Sequence, residues 1–224
     1  MASGPNVHGS LEKYLSNQQT RVTLLERRLA LQGGGGNNVV MAPAFMTPTS
    51  VSGGTFDPVT GRITLTPGAT GVQVNGVFSS QYRAYKIYFG WYTGAANGLV
   101  IRLASNGIVD QTAVYEYAAS GNSGNTAFGA ENNTQTFWGL AAIARTGHAG
   151  EITVFEPMTT EYTNNQKRYV ATCTAYGDAV AVFGGIMAGR DTVAFDGFTI
   201  LNSAAGPGVT AVSGSWVMVV PVPT

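Results

Sequence analysis

Charge is the scarcest commodity in this 224-residue chain: Lys plus Arg number 12 and Asp plus Glu number 12, together 11% of residues, and the formal net charge is zero. An average soluble domain carries roughly 25% charged residues. A balanced, sparsely charged chain offers no electrostatic footprint for nucleic acid or for an anionic bilayer, so neither partner is expected. Cys173 stands alone, which excludes an intrachain disulfide framework and any multi-cysteine zinc site. Two histidines, His8 and His148, leave little for metal binding or general-base chemistry. No apolar run approaches the roughly 20 residues of a membrane span, so no membrane insertion is expected. The opening MASGPNVHGS has no basic stretch followed by an apolar core, so no signal peptide is expected. GxSxG, HExxH and GxxxxGK[ST] are all missing, and neither a catalytic residue nor a cofactor is expected.

What is there falls into zones. Residues 1–9 form a short leader with Gly4, Pro5 and Gly9, which has little means of folding alone. Residues 10–32 read as a helix that Ser10 can cap. The glycine run Gly33–Gly36 ends it, and 33–44 reads as a linker. Residues 45–224 are punctuated by Gly and Thr, with short apolar alternations and no second helix of comparable quality.

The helix carries a narrow stripe: Leu11, Leu15, Gln18, Val22, Leu25 and Leu29. Their spacing alternates between four and three, a heptad with a at 15, 22 and 29 and d at 11, 18 and 25. An amphipathic helix packed on the β domain would show a wider face. The segment Arg21-Val22-Thr23-Leu24-Leu25-Glu26 resembles the short trimerisation signature of parallel three-stranded coiled coils. In that signature the Arg stem covers the seam and its head pairs with the Glu of a neighbouring chain, which implies those roles for Arg21 and Glu26. Leu at a leans away from dimers, and Gln18 at d would fix register at some cost in stability. Barely three heptads are near the length at which isolated helices are marginal, so the β domains must trimerise as well.

Beyond the linker, strands are expected at Arg62–Thr66, Val72–Phe78, Tyr82–Trp91, Leu99–Leu103, Ala113–Ala118, Gln135–Ala142, Glu151–Phe155, Arg168–Ala175, Ala179–Met187, Val193–Leu201 and Trp216–Val222. Turns are expected at Thr66–Gly68, Thr93–Gly98, Ser105–Gly107, Ser120–Asn125 and Tyr176–Asp178. About ten strands without interleaved helices point to a mainly β fold, a jelly-roll-like sandwich or else a barrel.

Asn75-Gly76-Val77-Phe78-Ser79-Ser80-Gln81-Tyr82-Arg83-Ala84-Tyr85-Lys86-Ile87 resembles a segment recurring in bacteriophage tail-associated fibre and receptor-binding proteins. Phe195–Ile200 followed by Ser213–Val219 is similar to the closing strands of the same group, and the layout of leader, coiled coil, glycine linker and β head matches. The resemblance implies a homotrimeric virion protein, a tail fibre or minor tail protein assembled in the host cytoplasm and displayed on the particle exterior. Residues 1–9 would dock onto other virion proteins, and the head would contact the host surface. A capsid decoration protein or head fibre is the alternative within the class. A polysaccharide-degrading enzyme and a bacterial surface adhesin are the alternatives outside it. Phe78, Tyr82 and Tyr85 also read as plain core residues.

Sugars stack on aromatic rings and take hydrogen bonds from amides. Trp91, Tyr92, Asn97, Asn122 and Asn125, beside expected loops, are therefore the candidate contacts to a host cell-surface glycan; as core or interface residues they would lose that role. Other groups read blandly. Cys173 lies in a strand-like run and reads as a buried inert thiol. His148 reads as a solvated turn residue. Glu151 and Glu156, like Asp191 and Asp196, are five apart and point to opposite faces of a strand, which does not suit a glycosidase pair.

Overall fold

From Phe45 onward, period-two alternation governs the chain, and it folds into strands. The computed structural model describes residues 45–123, 126–140, 145–160, 167–175, 179–190, 192–203 and 209–223. The expected leader 1–9, coiled coil 10–32 and linker 33–44 lie outside the described residues, and so do all eight trimerisation residues.

The strands are β1 (Ser50–Ser52), β2 (Gly54–Phe56), β3 (Arg62–Leu65), β4 (Gly71–Asn75), β5 (Ala84–Asn97), β6 (Leu99–Ser105), β7 (Ile108–Val109), β8 (Tyr115–Ser123), β9 (Thr126–Gln135), β10 (Trp138–Gly139), β11 (Arg145–Phe155), β12 (Lys167–Ala175), β13 (Ala179–Met187), β14 (Gly197–Asn202) and β15 (Trp216–Val222). The described residues contain no helix. Two antiparallel sheets result. The small one has six strands in the order β1-β4-β14-β6-β10, with β7 beside β6; the large one has nine, in the order β2-β3-β15-β5-β11-β12-β13-β8-β9. Phe45–Thr224 form one unit.

The inward faces of the two sheets share a core rich in aromatics. Along β5 the inward positions are Tyr85, Ile87, Phe89 and Trp91; along β12 they are Tyr169, Ala171 and Cys173. One cluster joins Phe78 to Phe198 of the small sheet and Tyr85 of the large one, with ring centroids 5.8 and 4.8 Å away. Tyr82 meets Tyr85 edge-on. Phe78, Tyr82 and Tyr85 are thus core residues. A second cluster stacks Trp138 on Tyr169 at 4.5 Å, with Tyr115 edge-on at 5.2 Å.

Glycines make room for these rings. Gly185 faces Tyr169 on one side and Tyr117 on the other. A Cβ there would run into the Glu116 carbonyl oxygen and come within 2.8 Å of the Tyr169 ring. Gly185→Ala is therefore expected to destabilise the fold by about 1–3 kcal/mol. A urea-denaturation midpoint equal to that of the parent would contradict this.

Two expected turns, Thr93–Gly98 and Ser120–Asn125, are largely strand instead, and so is the turn expected around His148. β5 continues through Gly94, Ala95 and Ala96 to Asn97; β8 continues through Ser120 to Ser123; β11 begins at Arg145. Pairing decides this over local composition. Arg145 pairs with Asn97 and Gly147 with Tyr92 across an irregularity, and Ser120–Ser123 pairs with strands on both sides. Gly94, Ala95 and Ala96 fall inside that irregularity, between the Tyr92 and Asn97 pairs.

Candidate interaction surface

β-alternation sends every second residue of the large sheet outward, away from the small sheet. The registers align these residues in rows across five or six strands. One row runs Lys86, Thr153, Val170, Gly184, Ala118, Glu131 from β5 to β9. The next runs Tyr88, Glu151, Thr172, Val182, Ser120, Gly129, and the third Gly90, Ala149, Thr174, Val180, Asn122, Ala127. On the other side of the first lies Ala84, Phe155, Arg168, Ile186, Glu116. Val170, Val180 and Val182 are each 47% exposed. They stand on the neighbouring strands β12 and β13 among Thr, Ser, Ala and Gly, so the centre of this face carries no charge.

The charges sit around that centre. Lys86 Nζ lies 3.3 Å from Glu151 Oε1, a half-exposed pair of little energetic weight. Arg168 leans over the Phe155 ring at 5.8 Å. Glu116 and Glu131 lie on the β8–β9 side. Partial burial raises the Tyr88 phenol above its ordinary range, with Glu151 adding to the rise and Lys86 opposing it.

The sequence candidates for host contact scatter over this architecture. Trp91 points inward and is fully buried, because it continues the Tyr85–Phe89 alternation instead of entering a loop. Asn97 is 3% exposed, at the inward end of the same strand. Neither offers a side chain to the surface of the chain, which corrects the expectation for both. Tyr92 is half-buried on the outer face of β5, where partial burial raises its phenol. Its backbone N–H donates to Ser215 Oγ at 2.9 Å. Asn122 is exposed on β8. Four strand spacings separate β5 from β8 in the sheet order, about 19 Å, so Tyr92 and Asn122 do not form one site. Asn125 lies outside the described residues.

No family model and no curated protein matches the chain.

The remaining reactive groups have structural environments. Cys173 is buried, and burial pushes its thiol up to about 12. His148 is a buried strand residue, not a solvated turn: Nε2 lies 2.7 Å from the Asn97 carbonyl oxygen, and the ring stands opposite Trp91. The Asn97 side chain accepts from Ser203 Oγ at 3.3 Å. Glu151 faces outward to Lys86, whereas Glu156 is buried against Arg83 just beyond β11, with a φ of 54°. Asp196 Oδ1 accepts from the Asn106 N–H at 2.9 Å, and Asp191 lies outside the described residues.

Sequence reading missed the outward valines. A signal was present: in Ala179-Val180-Ala181-Val182-Phe183 the large Phe183 must face the core, and parity then puts both alanines inward and both valines outward.

Proposed function

We propose that this chain is a bacteriophage virion structural protein. It is a homotrimeric tail fibre or minor tail protein with an N-terminal coiled coil and jelly-roll-like heads. It sits on the particle exterior, docks through residues 1–9 and acts by binding the host surface, without catalysis. The observation that carries the reading is the outer face of the large sheet, where valines stand half-exposed in an uncharged field. Three half-exposed valines on two neighbouring strands suit a contact made within an assembly, which favours a protein that works as several joined copies. The unit bearing it follows a heptad with the Arg21…Glu26 spacing, which supports a trimer in particular. Glu151 and Glu156 are committed to separate ion pairs and Cys173 is walled in, which favours binding over chemistry. Of the five candidate contacts, Tyr92 and Asn122 retain accessible side chains.

Sedimentation at micromolar concentration tests the assembly. The parent should run with the mass of a trimer, and Leu25→Asp should shift it toward lighter species, because an unpaired carboxylate in the seam costs several kcal/mol. A parent that sediments as a monomer would refute the trimer. Deleting residues 2–9 should leave a folded trimer that no longer joins particles. Incorporation at the parent's copy number would move docking elsewhere, and turnover of host-wall glycans by the pure protein would refute the non-catalytic role.

A further inference from the structure

We infer that the outer face of the large sheet, centred on Val170, Val180 and Val182, is where the β heads of this protein contact one another. This rests on the trimeric reading above and names the surface that the reading leaves open.

Tethering and charge both select a second copy as the occupant. A glycine-rich run such as 33–44 spans about 20 Å on average, so heads joined by a common stalk would meet at millimolar effective concentration. A patch of three half-exposed valines is too small to hold a free partner tightly but sufficient at such concentrations. The distribution of charge is also directional. In one row Arg168, Ile186 and Glu116 follow one another across β12, β13 and β8. In the next, Glu131 lies at the β9 edge. The uncharged centre therefore has Arg168 and, beyond it, the mutually neutralised Lys86–Glu151 pair on its β12–β5 side, a net basic flank, and two carboxylates on its β8–β9 side. An axis parallel to the strands turns the basic flank of one copy toward the acidic flank of the next. A threefold axis in that direction does so for three copies, closing the ring with no face left over. An acidic or basic foreign partner would match only one flank. Asn122 shares a row with Val180, so it belongs to this contact, and Tyr92 is left as the candidate for host binding.

The test uses the full chain carrying Val182→Cys, with Val59→Cys, at a position 84% exposed, as the control. The buried Cys173 gives a negligible background in the native protein. Expected are a trimer mass by sedimentation and thiol labelling at least tenfold slower at position 182 than at position 59, with the difference lost in urea. Adding Arg168→Glu should speed labelling at position 182 about tenfold, and adding Glu131→Arg to that variant should slow it again. A trimer with equal labelling rates overturns the face assignment and leaves the trimer standing. A dimer with slow labelling overturns the trimer and keeps the face. A monomer with equal rates overturns both. Charge reversals without effect on labelling overturn the head-to-tail arrangement.

Discussion

Trp138→Ala is expected to remove about 3–5 kcal/mol of stability, enough to unfold a marginal head outright. The two-residue strand β10 places this side chain between the sheets. Its backbone pairs with Ile101 of the small sheet, while its ring stacks on Tyr169 and meets Tyr115, both of the large sheet. Its indole N–H donates to the Ile186 carbonyl at 3.0 Å, and the Tyr169 hydroxyl returns a bond to the Gly139 carbonyl at 2.9 Å. Truncation would open a ring-sized void at the junction and leave the Ile186 carbonyl without this donor. Trp138→Phe keeps most of the packing and loses mainly the hydrogen bond, about 1 kcal/mol. Urea titration followed through circular dichroism separates the two variants. A loss below 1 kcal/mol for the alanine variant would show that β10 is a surface clip and not a joint between the sheets.

Alkaline pH should unfold the protein steeply. Burial pushes the Cys173 thiol from 9.0 up to about 12, and it raises the Tyr115 and Tyr169 phenols well above 10.0. In the unfolded chain these groups lose their protons near their ordinary values, while the folded chain retains them. Above pH 9 the native state then holds more protons than the unfolded one, so stability falls as pH rises. Each group contributes a slope of about 1.4 kcal/mol per pH unit. Cys173 acts alone between pH 9 and 10; all three act above pH 10, giving about 4 kcal/mol per unit. Stability below pH 9 is untouched by these groups. Urea midpoints from pH 8 to 11 measure the curve, and Cys173→Ala should flatten its first segment and reduce the slope above pH 10 by about a third. Constant stability between pH 10 and 11 would contradict the burial of both phenols.

Both predictions rest on residues whose role depends on where the chain folds back, and sequence reads that unevenly. β12, β13 and β15 were legible with nearly their observed limits, because Tyr169, Phe183 and Val217 impose a clear alternation. β9 was not: Thr-Ala-Phe-Gly-Ala-Glu-Asn-Asn-Thr-Gln has no apolar face, and it is a strand because β8 offers it a row of hydrogen-bond partners. β1, β2 and β7 are too short to show a period. The same cause displaced the candidate site. Gly94–Asn97 has the composition of a turn, so Trp91 and Asn97 looked like loop neighbours. Pairing with β11 extends the strand and carries both side chains inward. Local composition reports what a segment could do alone, whereas the neighbouring strand decides what it does.

The junction between β1 and β2 matters for how the head would carry load. β1 pairs with β4 in the small sheet; one residue later, at Gly53 with φ of 80°, the chain turns and β2 pairs with β3 in the large sheet. Just upstream, the Met46 N–H donates to the Val219 carbonyl of β15 at 2.8 Å. A pull applied at Phe45 is therefore resisted first through the C-terminal strand and then by both sheets in turn. The ladders of β1 and β2 sit at sheet edges, so they give way before the central strands do. If the head is tethered through residues 1–44 as proposed, such a segment would work as a sacrificial strap, peeling under tension while the aromatic core stays closed.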